Sequence, residues 1–120
     1  MGLLDFFTDA VDSLRRMTSR LEVVEETERH CVIQGDRRRV VLDLARRIAD
    51  VASAGRLPFA QFGAVEIQRI DRDDDEPFWR VSLVPKLRGR IEVGRSHVDV
   101  DASIVAATLA RHLGCPVKSF

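Results

Sequence analysis

The sequence lacks the features that mark secreted, disulfide-rich or membrane-spanning proteins. Its two cysteines, Cys31 and Cys115, can form at most one bridge. The first residues lack the basic region that opens a secretory signal, and no run approaches the roughly 20 apolar residues needed to cross a bilayer. These absences predict a cytoplasmic protein in which both thiols are reduced.

The sequence also lacks an excess of charge of one sign. Nineteen basic residues balance nineteen acidic residues, so the formal net charge is +0. A generic nucleic-acid binder usually needs surplus cations that displace counterions from phosphate, so nucleic acid is not an expected partner. The length of 120 residues and the apolar share of 45% are ordinary for one globular unit. We therefore expect a single domain over residues 1–120.

An amphipathic helix is predicted over residues 1–18, ahead of an α+β core over residues 21–114. Its apolar positions recur at helical spacing, with acids early and arginines late, which suits the helix dipole. The apolar positions are Leu3, Phe6 or Phe7, Ala10, Val11, Leu14 and Met17. The opening Leu3-Leu4-Asp5-Phe6-Phe7 is similar to the membrane-targeting start of the bacterial division-site topology factor MinE. The resemblance covers about six residues, and it implies that Phe6 and Phe7 insert into a lipid surface as a wedge.

The segment after this helix predicts a hairpin and then admits two interpretations. Two β-like runs, Leu21–Val24 and His30–Gln34, flank a charged stretch. Gly35-Asp36 is a good two-residue hairpin turn, yet apolar residues then recur at helical spacing. Residues 36–42 are therefore open to strand or helix, and we predict a middle helix from Leu42 to Ala54, which Gly55 and Pro58 terminate.

The last half, Phe59 to Gly114, predicts three antiparallel strands and a closing helix. Ala64–Ile70 is strand-like, and the residues around Trp79 and Ile91 alternate between apolar and polar. Trp79 is expected to face the core. A helix over Ala102–Leu113, capped by Asp99 or Asp101 and stopped at Gly114, is expected to lie on the sheet.

This order of elements resembles the bacterial relatives of the pleckstrin-homology barrel. The resemblance covers residues 21–114, with the closing helix carried by Asp101-Ala102-Ser103-Ile104-Val105-Ala106-Ala107. It implies a seven-stranded barrel closed by one helix. The fold class predicted from the residues is α+β, with a mainly antiparallel sheet and N-terminal, middle and C-terminal helices.

Two groups of charged residues are candidate sites. His97, Asp99 and Asp101 share one side if their segment is extended, as a base oriented by a carboxylate or a pair of metal ligands requires. The alternative is that both aspartates are helix caps. Arg37, Arg38 and Arg39 form the densest basic patch, which could meet phosphates, lipid headgroups or an acidic partner. Its alternative is a solvated face paired with nearby aspartates.

Two further groups contain the right ligand types in unsuitable patterns. The acidic run Asp71–Glu76 lacks the glycine and the distal glutamate of a calcium loop, so a solvated turn is expected. His30-Cys31 and His112-x-x-Cys115 lack zinc-finger spacing. No catalytic residue, metal or cofactor is assigned.

The residues therefore favour a non-catalytic cytoplasmic interaction module that self-associates, as a homodimer, through the N-terminal helix or an exposed sheet edge. Its expected partner is a second copy or another protein. The first alternative is a peripheral module on an anionic membrane surface, using Phe6, Phe7 and the arginine patch. The second is a small hydrolase or metal site at His97, Asp99 and Asp101.

Overall fold

A computed structural model describes residues 21–36 and 38–120. The predicted N-terminal helix, with Phe6 and Phe7, lies outside the described residues, as does Arg37. The described chain is mostly β, with two sheets and one α-helix near its C-terminal end. The predicted fold class, α+β with one mainly antiparallel sheet and three helices, is therefore wrong.

The first sheet is an antiparallel meander of five short strands in chain order. The strands are β1 Glu22–Glu26, β2 His30–Gln34, β3 Arg39–Asp43, β4 Ile48–Val51 and β5 Gly55–Pro58. The predicted first hairpin is confirmed as β1 and β2. The predicted hairpin at Gly35-Asp36 is confirmed as β2 and β3, but its connection is longer than the two residues predicted, since the last strand pair is Gln34 and Arg39 and the Gly35 amide donates to the Arg38 carbonyl at 2.8 Å.

The predicted middle helix, Leu42–Ala54, is wrong, because the end of β3, all of β4 and the turns that follow them occupy its residues. Val40 and Leu42 are buried on β3, and Ala49 and Val51 are buried on β4, with an exposed Asp50 between them. This period of two is that of a half-buried strand. Two short strands joined by a four-residue turn also place apolar residues at helical spacing, which misled the sequence-based interpretation. Arg47, at φ 58°, completes that turn in the left-handed conformation.

The second sheet contains the three strands predicted in the last half and one that was not predicted. β6 Phe62–Ile70, β7 Phe78–Pro85 and β8 Ile91–Ser96 are antiparallel neighbours, as expected. β9 Val117–Ser119 pairs in parallel with β6, so the sheet order is β8, β7, β6, β9. A 3₁₀ turn, Phe59–Gln61, connects the two sheets.

The closing helix α1 is confirmed, but its start differs from the prediction. It spans Asp99–Leu113, and its N-cap residue is Val98. Within the part of the chain that the structure describes, no side chain caps this helix. Asp99 and Asp101 instead lie in the first turn, where their charge complements the helix dipole. The predicted stop is confirmed, with Gly114 left-handed at φ 71°.

One core lies between the inner faces of both sheets and the buried face of α1. It includes Ile33 and Leu42 from the first sheet, Val65 and Leu83 from the second, and Leu109 from α1. Trp79 is partly buried against this core, in agreement with its expected orientation.

The backbones of the two sheets come into close contact at two glycines, Gly35 and Gly94. A Cβ atom on Gly35 would lie 2.3 Å from the Val93 carbonyl oxygen. A Cβ atom on Gly94 would lie 2.8 Å from Leu21 Cδ1 and 3.0 Å from the Gly35 Cα. The β2–β3 turn therefore crosses directly over β8, where only glycine fits.

Candidate functional site

The second sheet has one apolar face and one ionic face. Val65, Ile67, Val81 and Leu83 point into the core. Alternation along each strand places the intervening side chains on the opposite face. These outward residues are Glu66 and Gln68 on β6, Arg80 and Ser82 on β7, and Glu92 and Arg95 on β8, which are neighbours in the strand register.

Glu92 holds three arginines from different parts of the chain. Arg38 Nη1 donates to Glu92 Oε2 at 2.8 Å and to the Glu92 carbonyl at 3.1 Å. Arg95 Nε donates to Glu92 Oε1 at 3.0 Å. Arg80 Nε lies 3.9 Å from Glu92 Oε1, and its Nη2 donates to Gln68 Oε1 at 2.5 Å. One carboxylate therefore fixes the positions of three guanidinium groups.

Glu66 fixes a fourth arginine on the same face. Arg90 contacts both Glu66 oxygens, with Nη2 at 3.2 Å from Oε1 and Nε bonded to Oε2. Glu66 is only 8% exposed, whereas the Arg90 side chain reaches into solvent. The hydrogen bond with Glu66, together with its charge, raises the pKa of Arg90. The buried carboxylate thus anchors an exposed cation in a bidentate geometry.

An open groove of about 450 Å³ lies where this ionic face meets the β4–β5 turn. Ser53 and Ala54 form one side, and residues 88–92 form the other, with Arg38 alongside. Arg88 Nη1 makes a long contact of 3.4 Å to the Ala54 carbonyl. No carboxylate in residues 21–36 or 38–120 pairs with Arg88. Three arginines and one glutamate line the groove, so its formal charge is +2 (three positive charges minus one negative charge).

Phe78 forms an aromatic and cationic cluster beside this face. The guanidinium carbons of Arg72 and Arg95 lie 4.9 Å and 5.1 Å from its ring centroid. The His97 ring meets it edge-on at 6.3 Å. His97 Nδ1 is also 3.2 Å from the Pro77 carbonyl oxygen, so His97 is held against the β6–β7 loop and the start of β7.

The structure does not keep His97, Asp99 and Asp101 on an extended segment. Since α1 begins at Asp99, both aspartates follow helical rather than strand spacing. Asp99 Oδ1 accepts a hydrogen bond from Ser103 Oγ at 3.2 Å, within the helix itself. The geometry on which the predicted base or metal pair depends is therefore absent from this described segment.

The predicted arginine patch is divided among different surroundings. Arg38 joins the Glu92 cluster, Arg39 is exposed on β3, and Arg37 lies outside the described residues. Arg46 pairs with Asp43 across the β3–β4 turn at 3.9 Å. Among the arginines of this stretch that the structure describes, only Arg38 lines the groove.

The two cysteines are both free, and they occupy different surroundings. Cys31 is fully buried, and burial, reinforced by the charge of Glu26, raises the pKa of its thiol to about 11. Burial also raises the pKa of the half-buried Cys115. Nearby, Glu26 accepts bonds from Arg111 and from His112 Nε2, the latter at 3.0 Å. Across the described ranges, no three His, Cys, Asp or Glu side chains form a group that could hold a metal.

A second candidate surface is the solvent side of α1. Val98, Val100 and Ile104 are 50%, 63% and 53% exposed. Val100, Ile104, Ala107 and Arg111 follow helical spacing, and all four are exposed. The α1 stripe, meaning these four residues with Val98, is thus apolar at its N-terminal end and basic at its C-terminal end.

Sequence reasoning identified Arg38 but missed Glu66, Arg88, Arg90 and Glu92. The available signals were a glutamate between two core-facing residues of an apolar strand and an Arg-Gly-Arg turn before β8. Comparison with protein-family models, with curated proteins and with solved structures yields no match to this chain. The resemblance to the pleckstrin-homology barrel stays a prediction. None of the helices in the described ranges is long and apolar enough to cross a membrane.

Proposed function

We propose that this protein is a non-catalytic cytoplasmic interaction module that self-associates through the α1 stripe. The observation that supports this proposal is the exposed pair Val100 and Ile104, one helical turn apart on a helix whose other side is packed in the core. Single exposed apolar residues are common on protein surfaces, but aligned ones on a rigid helix form a contact surface.

The occupant that this surface fits is a second copy of the same helix, running antiparallel. α1 carries Asp99 and Asp101 in its first turn and Arg111 and His112 in its last turn. A two-fold axis near Ile104 and Ala107 would bring the acidic first turn of one helix toward Arg111 of the other, with the helix dipoles opposed. Arg111 bonds Glu26 of its own chain but its side chain remains exposed to a partner. Each apolar contact is made twice by symmetry, and each buried side chain contributes about 1.5–3 kcal/mol before the cost of association.

Sedimentation velocity over a range of protein concentrations tests this proposal. We expect the wild-type chain to form a dimer and Ile104→Glu to be monomeric, because the change would bury two carboxylates at the symmetry axis. Leu87→Glu is the matched control, since Leu87 is 97% exposed in the β7–β8 loop and is not part of the α1 stripe. The Leu87→Glu variant should form the dimer as the wild type does.

Two outcomes would contradict the proposal. The first is a wild-type chain that is monomeric at every concentration tested. The second is an Ile104→Glu variant that remains a dimer while a full-length Phe6→Ser/Phe7→Ser variant dissociates, which would assign the contact to the N-terminal residues instead.

A further inference from the structure

From the groove beside β8 we infer a second binding site, which takes an extended acidic peptide segment of a partner protein. The site is lined by Arg38, Arg88 and Arg90, and it is separate from the α1 stripe. The inference therefore does not depend on self-association.

The first argument is the charge left over in the groove. Arg38 and Arg90 are already bonded to Glu92 and Glu66, yet both side chains remain substantially exposed. Arg88 has only the 3.4 Å contact with the Ala54 carbonyl. A guanidinium group offers five donors, so each of these side chains retains donors for an incoming carboxylate.

The second argument is that the cations are held in place before any ligand arrives. Glu66 is nearly buried and binds Arg90 through both carboxylate oxygens. Glu92 holds Arg38 through its carboxylate and its backbone carbonyl. Fixing these long side chains in advance lowers the entropy that binding must otherwise cost. Ordinary surface arginines lack such support.

The third argument concerns the shape of the ligand. Arg88 and Arg90 flank Gly89 in a non-helical stretch, and a Cβ atom on Gly89 would meet nothing within 4 Å. The backbone is therefore accessible between two cations spaced two residues apart. In an extended peptide, side chains two residues apart project to the same side. Two carboxylates at this spacing match the two guanidinium groups, and the open groove admits a continuing chain.

Binding of a synthetic peptide of alternating Glu and Ser, measured by fluorescence anisotropy or calorimetry, tests the inference. A peptide of alternating Gln and Ser is the control ligand. We expect binding of the acidic peptide alone, with an affinity that falls as salt is added, because the contacts are exposed to solvent. Arg88→Gln should weaken binding by about 3- to 10-fold, as expected for losing one charge-assisted contact.

Two further variants sharpen the test. Glu92→Gln removes the carboxylate that fixes Arg38, so it should weaken binding by a few fold even though the net positive charge of the groove rises. Arg29→Gln removes an exposed arginine from the β1–β2 loop, at the opposite end of β2 from the groove, and should leave binding unchanged. Circular dichroism melting curves verify that each variant is folded.

Three results would overturn the inference. The first is an equal loss of binding in Arg29→Gln and Arg88→Gln, which would indicate a diffuse charge effect. The second is no binding of the acidic peptide at low salt. The third is binding of inorganic phosphate, or of vesicles containing phosphatidylserine, with the same dependence on Arg88 while the peptide does not bind, which would assign the groove to phosphate groups.

Discussion

The two sheets of this protein alternate their side chains in the same way but organise their outer faces differently. On the first sheet, Asp50 and Arg56 are directly opposite each other on β4 and β5, yet they form no ion pair with each other or with another residue in the described ranges. On the second sheet, Glu66 and Glu92 hold four arginines. The difference shows that a charged sheet face can be simply solvated or can be built to position cations.

The largest expected effect concerns the close backbone contact between Gly35 and β8. Gly35→Ala places a Cβ atom 2.3 Å from the Val93 carbonyl oxygen, and neither backbone can move without disturbing its sheet. We expect a loss of at least about 3 kcal/mol in the free energy of unfolding, measured by urea denaturation. Gly89→Ala is the control, because its Cβ atom meets nothing, and its stability should be unchanged.

Equal stability of these two glycine variants would show that the sheets are not in close contact. The outer face of the second sheet could then move relative to Arg38 of the first sheet. In that case Glu92 would not hold Arg38 in a fixed position.

An intermediate effect is expected from the buried thiol of Cys31, because the dependence of stability on pH reports whether water reaches the inner face of the first sheet. Burial raises the pKa of the Cys31 thiol from 9.0 to about 11. Between pH 9 and pH 11 the Cys31 thiol therefore keeps its proton in the folded state and loses it in the unfolded state. The contribution of Cys31 to the free energy of unfolding is fully present below pH 9. It is lost as the pH rises from 9 to 11, and the loss amounts to about 2–3 kcal/mol.

Unfolding free energies measured between pH 8 and pH 11 check this dependence. Cys31→Ala should remove most of the slope, whereas Cys115→Ala should retain it, because Cys115 is only half-buried. A wild-type curve that is flat over this range would mean that water reaches Cys31.

The smallest expected effect concerns the charged residues on the outer faces of the two sheets. Glu66→Gln keeps the shape of a nearly buried side chain but weakens its bidentate bond to Arg90, and we expect a loss of about 1 kcal/mol. Asp50→Asn on the first sheet should change the free energy of unfolding by less than about 0.5 kcal/mol. Thermal and urea denaturation of both variants provide the measurement. If Asp50→Asn costs as much as Glu66→Gln, the two faces do not differ in organisation.

The sequence predicted elements whose patterns are local. β6, β7 and β8 were recognised because Val81 and Leu83 alternate with polar residues, and the end of α1 was recognised from Gly114. The prediction of a middle helix was wrong because the turn between β3 and β4 has Arg47, not glycine, in its left-handed position, so the sequence shows no turn signal there. β9 was missed because its three residues are all exposed and carry no periodic signal.

The candidate site was harder to predict because its partners are distant in the chain. Arg38 was recognised as part of a basic run, but its partner Glu92 is 54 residues away. Alternation with Val65 and Ile67 places Glu66 on the outer face, but its partner Arg90 is 24 residues away on the approach to another strand. Such pairings depend on tertiary structure, so no local spacing encodes them.

The parallel strand β9 has a consequence for the order in which the chain folds. The Val65 amide donates to the Pro116 carbonyl, and the Arg69 amide donates to the Phe120 carbonyl, so these bonds close a loop that includes β7, β8 and α1. Closing so long a loop for three exposed residues gains little apolar burial to offset the entropy. β9 should therefore join last and open first, and the Val65 and Arg69 amides should exchange hydrogen with solvent before those on the β7 side of β6.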